Sequence, residues 1–273
     1  MATQGVGTGG EQPGRVENAK GGSVDSRVML VTGGSRGIGA ATARLAARHG
    51  YDVCISYLHD EAAAEAVVAD VRAIGRRALA VRADVAVEAD IVRLFESSSL
   101  ELGAISALVN NAGGAVGKRR RIVDADWDAV SAVLAVNLAG LIICCREGLR
   151  RMSTSRGGKG GAIVNVSSAA ARLGAPGLWM DYAAAKGGVD TLTVGLAIEV
   201  ADEGVRVNAV RPGLIDTDLH AASGMPDRVE RAARHLPMKR AGSADEVADA
   251  ILWLASPGAS YVSGAIVDVA GAR

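Results

Sequence analysis

Short β-branched runs alternate with alanine-rich helical patterns along almost the whole chain, and this alternation restricts the folds open to it. Arg27–Val31 reads as a strand, followed by a glycine-rich turn and a helix through about His49. Asp52–Tyr57 and Arg77–Val81 read as the next strands, each followed by a helix, at Glu61–Ile74 and about Glu88–Leu100. A fourth strand at Ala107–Val109 precedes a long helix over about Asp126–Met152. A fifth at Ala162–Val166 precedes a helix over about Tyr182–Ala201. Val205–Val210, a helix over Ser243–Ala255 and a final strand at Ala265–Val269 complete the series. Ser243 and Glu246 stand at the spacing of a capping box. Such alternation implies right-handed crossovers, parallel strands and helices on both faces. The expected fold is α/β: a single domain over 27–273 with a doubly wound parallel sheet of about seven strands. Residues 1–26, rich in glycine and polar residues, read as a disordered tail.

The charges balance at a formal net of zero, which gives no support for binding nucleic acid or a membrane surface. No stretch reads as a signal peptide or as long and apolar enough to span a bilayer, and metal-ligand spacing is absent. Cys54, Cys144 and Cys145 sit in apolar runs, as buried free thiols in a reducing, cytoplasmic compartment would. The segment 216–240 breaks the rhythm. It carries Pro226 and Pro237, is too long for an ordinary connection, and is read as a lid over a site.

Between the first strand and its helix lies Thr32-Gly33-Gly34-Ser35-Arg36-Gly37-Ile38-Gly39. Glycines there let the backbone take positive φ and bring amide N–H groups close to a ligand. The helix N-terminus adds partial positive charge, so the turn suits a pyrophosphate. Further on, Tyr182 and Lys186 stand four apart, one turn along one helix face. A phenol titrates near pH 10, and an adjacent ammonium lowers that value toward the range useful for proton transfer.

TGGSRGIG, Asn110-Asn111-Ala112-Gly113, Ser167-Ser168, Tyr182-Ala-Ala-Ala-Lys186 and Pro212-Gly213 occur in this order. Together they resemble the short-chain dehydrogenase/reductase superfamily, over a stretch from about Val28 to the C-terminus. The resemblance implies a Rossmann-type fold and an oxidoreductase that moves a hydride between a nicotinamide cofactor and a carbonyl or secondary alcohol. It implies catalytic roles for Asn137, Ser168, Tyr182 and Lys186. Tyr182 would pass the proton, Ser168 would hold the carbonyl oxygen, and Lys186 would tune Tyr182 and bind ribose hydroxyls. Asn137 would bend its helix and anchor a water; a satisfied core amide is the other reading of it. Ser168 lies fourteen residues before Tyr182, one more than in many relatives, so Ser167 is the alternative. Strand alternation puts Ile163, Asn165 and Ser167 on one face, and the second serine is the family's catalytic position.

The cofactor contacts implied are Gly33, Ser35, Arg36, Gly37, Ile38 and Gly39 in the turn, and Tyr57 at the end of the second strand. Asp84 and Val85 match the pair that holds adenine. Asn110, Asn111, Ala112 and Gly113 match the motif at the ribose and central sheet. Pro212, Gly213, Ile215 and Thr217 match the nicotinamide segment, and Tyr182 and Lys186 complete the set. The second strand ends Ile55-Ser56-Tyr57 without the acid that binds a ribose 2′-hydroxyl, and Arg36 can pair with a 2′-phosphate. NADP(H) is therefore favoured, with NAD(H) the alternative.

Lys118-Arg119-Arg120-Arg121 reads as a solvated loop, or as an attractor of anionic substrate. Arg172, Leu173, Leu178, Trp179 and Met180 are expected to border the substrate pocket, with His220, Met225, His235 and Leu236 opposite. The glycine-rich basic run 156–161 leads into a strand and reads as an exposed loop. Leu141, Cys144 and Cys145 are candidates for a subunit interface or for the core. By resemblance a homotetramer, or a homodimer, is expected. The substrate is a small carbonyl or alcohol, with sugar dehydrogenation and 3-oxoacyl carrier-protein reduction as alternatives. A protein that binds NADP(H) without turnover is the competing class.

Overall fold

The computed structural model describes Met1 and residues 27–114, 120–217 and 234–273. The expected tail, Lys118, Arg119, His220, Met225 and Pro226 lie outside these described residues. Seven parallel strands form the sheet: β1 (Arg27–Val31), β2 (Tyr51–Tyr57), β3 (Ala78–Arg82), β4 (Ile105–Asn110), β5 (Gly161–Val166), β6 (Val205–Pro212) and β7 (Ile266–Val269). Their spatial order is β3-β2-β1-β4-β5-β6-β7. The direction of winding reverses between β1 and β4, and a crevice at such a switch point is where ligands bind in open α/β sheets.

The helices are α1 (Gly37–Arg48), α2 (Glu61–Ala73), α3 (Glu88–Leu102), α4 (Trp127–Met152), α5 (Met180–Glu199) and α6 (Ala244–Ala255). Strand alternation sorts the core into two clusters. Met29 and Val31 of β1 face α1, α2 and α6, while Val28 and Leu30 face α3, α4 and α5. Small residues bring α1 and α6 close: Ala43, Ala46 and Ala47 meet Val247, Ile251 and Leu254. On the other face Phe95, Leu94 and Ile91 are fully buried, each worth about 1.5–3 kcal/mol of apolar burial.

Ser243 caps α6 as its spacing requires, with Glu246 returning the bond in a capping box. Arg240 donates to both Glu246 oxygens, at 2.8 and 2.6 Å, and holds that carboxyl down at about 2. The far end of the 216–240 segment is thereby tied to α6.

Two expectations are corrected. Trp127–Met152 is long and apolar enough to cross a membrane by length and composition. It lies instead along the sheet, with Val133, Leu141, Cys144 and Met152 buried and the polar Asn137 and Glu147 buried among them. Leu141, Cys144 and Cys145 belong to the core of the single chain, so the interface reading fails for them. Burial pushes the Cys54 and Cys145 thiols up to about 12, and raises Cys144 as well.

Candidate active site

The glycine turn is held from two sides. The Gly33 N–H donates to Ser56 Oγ at 3.0 Å and the Gly34 N–H to the Ser56 carbonyl at 2.9 Å, both at the end of β2. From β4, Asn111 Nδ2 donates to the Thr32 and Gly33 carbonyls, each at 2.9 Å. Thr32 Oγ1 accepts the Asn111 and Ala112 N–H groups, each at 3.0 Å. Gly33 and Gly37 have φ of +65° and +54°, where a side chain would strain the backbone. Gly39 is required for space: a Cβ there would stand 2.2 Å from the Gly33 carbonyl oxygen.

The helix that follows opens without a side-chain cap, and its first turn contains no acidic residue. Its orphan amides and partial positive charge are thus left for an anion. Gly33, Ser35, Arg36, Gly37 and Ile38 form the accessible part of the turn, and Arg36 is exposed. Gly39 and Asn111 stand behind it as supports, with the Asn111 amide committed to the turn. Asn110 is buried and donates to Asn165 Oδ1 at 2.9 Å, bracing β4 against β5. Tyr57 is buried at the end of β2. Asp60 caps α2, accepting the Ala63 N–H at 2.9 Å, so the nearest acid past β2 is already committed.

Asp84 follows β3, with Oδ1 accepting the Ala86 N–H at 2.9 Å. Val85 is buried beneath α4, where Gly140 lets the helix approach the Val85 carbonyl. After β6, Gly213 abuts Ala270, and Ile215–Asp216 pairs with Gly242–Ser243. A Cβ on Gly37 would lie 3.5 Å from Thr217 Cγ2, so the last described residue before 218 rests against the glycine turn.

The second group of residues meets at the same edge. In α4 the winding widens to a π-helix over Ala135–Ala139, which turns Asn137 inward. Its Oδ1 accepts the Gly114 N–H at 2.9 Å, and its Nδ2 donates to the Gly114 and Val133 carbonyls, each at 3.0 Å. The side chain is satisfied within the chain, so the core-amide reading describes it. It also fixes the loop after β4. A Cβ on Gly113 would lie 2.6 Å from Asn137 Oδ1 and 3.3 Å from Lys186 Nζ, so those two side chains converge over Gly113.

Lys186 is 2 % exposed, and its Nζ donates to the Val166 carbonyl at 2.8 Å. The same ammonium lies 5.7 Å from the centre of the Tyr182 ring. Burial pushes Lys186 down to about 8, and the Asp190 charge works against that. Tyr182 itself is half-buried. At the end of β5 the two serines divide. Ser167 is buried and donates to the Lys186 carbonyl at 3.2 Å. Ser168 is more open, and its Oγ accepts the Ala170 N–H at 3.1 Å. A hydroxyl that accepts from the backbone still has its own proton to donate.

The chain matches the family model described as enoyl-(acyl carrier protein) reductase over residues 33–271. It belongs to the short-chain dehydrogenase/reductase family. It is 47% identical to the oxidoreductase YgfF of Escherichia coli (strain K12) over 246 residues, 90% of this chain and 99% of that protein. It is 42% identical to the cis-4-hydroxycyclohexanecarboxylate dehydrogenase of Sinomonas cyclohexanicum, covering 90% of this chain and 95% of that one. Its fold is similar to that of a blue fluorescent protein from a metagenomic library in complex with NADPH, with TM-score 0.82 and 32% identity. That match covers 90% of this chain and 97% of the other. Within this oxidoreductase family the chain keeps a seven-stranded Rossmann-like sheet in one domain.

The sequence reading missed some partners of the site. Arg120 is not solvated: it forms a largely buried ion pair with Asp181, and its N–H donates to the Leu178 carbonyl at 3.2 Å. Asp181 Oδ1 in turn accepts the Tyr182 N–H at 2.9 Å. The pair fastens the loop before α4 to the start of the helix that carries Tyr182. Arg121 is exposed. Trp179 and Leu236 are buried, while Arg172, Leu173, Met180 and His235 are exposed. Acid next to Tyr182 and base in the preceding loop were visible as residues; only the fold pairs them across 61 positions.

Proposed function

We propose that this chain is an NADP(H)-dependent oxidoreductase acting on a carbonyl or secondary alcohol. One observation carries the reading: Tyr182, Lys186, Asn137 and Gly113 converge at the sheet edge that also bears the uncapped glycine turn. The residues fit a dinucleotide on that ground. The Gly33–Gly37 turn and the first amides of α1 would hold the pyrophosphate. Asp84 and Val85 would border the adenine, Ala112 and Gly113 the ribose, and Pro212, Gly213, Ile215 and Thr217 the nicotinamide. When bound, the nicotinamide supplies or accepts a hydride.

The chain's own residues supply placement and proton transfer. Ser168 and Tyr182 donate hydrogen bonds to the substrate carbonyl oxygen. Charge grows on that oxygen as the carbonyl is reduced, so these donors act most strongly in the transition state. Tyr182 gives its proton to the oxygen, and the Lys186 ammonium beside it stabilises the phenolate that remains. Asn137 holds the loop 113–114 so that Lys186 is kept in place. Oxidation of an alcohol reverses these steps.

NADP(H) is preferred over NAD(H) in this reading because Asp60 is committed as a helix cap and Arg36 is exposed beside the turn. NADPH and NADH oxidation would be compared over ketones, aldehydes, quinones and acyl thioesters, with sugars and cyclic alcohols tested in reverse. A preference for NADPH is expected, and Arg36→Glu should weaken it by about tenfold or more, a loss of one charge-assisted contact. A tenfold preference of the native chain for NADH would overturn the choice. The 42% identical hydroxycyclohexanecarboxylate dehydrogenase supports including cyclic hydroxy acids. No turnover across the whole panel would favour the binding-only reading.

The exposed Ile142, Val194 and Ile198 on α4 and α5, Trp253 on α6 and Tyr261 beyond it support a homotetramer or homodimer. Three free thiols fit a cytoplasmic setting.

A further inference from the structure

We propose that Asp190, held by Arg211, is the counter-charge that keeps Lys186 protonated behind Tyr182. The inference rests on the proton-transfer role given to Tyr182 and Lys186. Asp190 follows Lys186 by one turn on the same face of α5. It is 8% exposed. Its Oδ2 accepts from Arg211 Nε at 2.9 Å and lies 2.8 Å from Nη2. Its Oδ1 is buried without a hydrogen-bond partner among the described residues. A buried carboxylate with one bare oxygen is costly, and a nearby ammonium offsets part of that cost.

Of the acids around the lysine, Asp190 is the one whose charge acts on it, while Asp181, beside Tyr182, is paired with Arg120. The strand β5 presents the neutral Val166 carbonyl, and the π-segment of α4 presents the neutral Asn137. Asp126 and Asp128, at the start of α4, are exposed. On its own helix Lys186 faces Tyr182 and Asp190. From β6 comes Arg211, and from β7 comes Asp268, whose Oδ1 is 3.8 Å from Arg211 Nη1. Arg172, in the short helix Ala170–Leu173, lies 3.5 Å from Asp268. Charges thus alternate outward from the lysine: Asp190, Arg211, Asp268, Arg172. Arg211 also immediately precedes Pro212-Gly213, so the pair ties the Tyr182 helix to the strand that leads into the proposed nicotinamide segment.

The arrangement makes two opposite predictions. The first proton to leave the Tyr182–Lys186 pair takes it from one positive charge to none, whichever residue releases it. A nearby negative charge raises that apparent pKa, and a nearby positive charge lowers it. Asp190→Asn should therefore lower it, by about one unit for a close buried charge. Arg211→Met, which leaves the Asp190 charge bare, should raise it. A purely structural pair would give no shift, or shifts in one direction, when either half is removed.

The readout is ultraviolet difference titration of tyrosinate, each variant against its own Tyr182→Phe counterpart, so no substrate is needed. The acid limb of alcohol oxidation with NADP⁺ should move in parallel. If no variant turns over any alcohol, the enzyme reading fails while the titration still decides the role of Asp190. Should Arg211→Met not fold, Asp190→Asn against Asp190→Glu decides it: the amide shifts the curve and the retained carboxylate does not. Equal curves for Asp190→Asn and the native chain, or shifts of one sign for both halves of the pair, overturn the proposal.

Discussion

Tyr182→Phe should cut turnover of any accepted carbonyl by about 10²–10⁴-fold, the usual contribution of a positioned general acid. The phenyl ring fills the same half-buried site, 5.7 Å from the Lys186 ammonium at its centre, so packing is conserved. Lys186 keeps its bond to the Val166 carbonyl. The glycine turn keeps its own clamps from Ser56 and Asn111, so cofactor affinity should stay close to that of the native chain. The measurements are steady-state turnover and a fluorescence titration with NADPH. Turnover like that of the native chain would remove Tyr182 from the mechanism. A parallel loss of cofactor binding would instead point to a disturbed fold around α5.

Gly39→Ala should have the second large effect, through binding and stability and not through the proton. The added Cβ would stand 2.2 Å from the Gly33 carbonyl oxygen and 2.6 Å from Asn111 Nδ2. Neither can retreat easily. The Gly33 carbonyl belongs to a turn held by Ser56 on one side and Asn111 on the other. Asn111 already serves two carbonyls. Relief must come from opening the turn, and overpacking of this kind costs about 1–3 kcal/mol. Because the same turn would hold the pyrophosphate, NADPH affinity should fall by about tenfold or more. Thermal melting and NADPH titration measure the two losses. A variant that binds NADPH like the native chain would show that the turn is not the cofactor's seat.

The fold was legible because each strand carries its own signal. Val-Met-Leu-Val and Val-Cys-Ile-Ser are mostly apolar and begin or centre on β-branched residues whatever they pair with, and strands buried on both faces read as continuous runs. The capping box at Ser243 was legible for the same reason, since both partners lie within one turn. Features that depend on neighbours distant in sequence were not. The bend that the family resemblance implied at Asn137 is present as a π-segment, but its partner Gly114 was announced by no local pattern. Arg120 looked solvated because its neighbours in sequence are basic, while its partner Asp181 stands on another helix. Cys144 and Cys145 were ambiguous because an apolar helix face suits a core and an interface equally. The apolar length of Trp127–Met152 was underestimated because its polar residues cluster at its C-terminal end.

Around the site, residue types were legible and supports were not. Tyr182, Lys186 and the glycines could be read from spacing. Ser56, which clamps two turn amides, is a small polar residue in a strand and carries no motif. Asp190 stood in view at the i+4 position from Lys186, and that spacing alone could have raised it as a partner. Its significance depends on Arg211, which only the sheet brings beside it.

The central claim is that this edge of the sheet transfers hydride between a nicotinamide and carbonyl carbon. Its most direct test is reduction with NADPH carrying deuterium at the pro-S position of nicotinamide C4, using the best carbonyl of the substrate panel, followed by mass spectrometry of both products. The account predicts deuterium on the carbinol carbon and unlabelled NADP⁺. Pro-S transfer is what the family resemblance implies, so deuterium retained on NADP⁺ would contradict that face, and deuterium found in neither product would contradict direct hydride transfer.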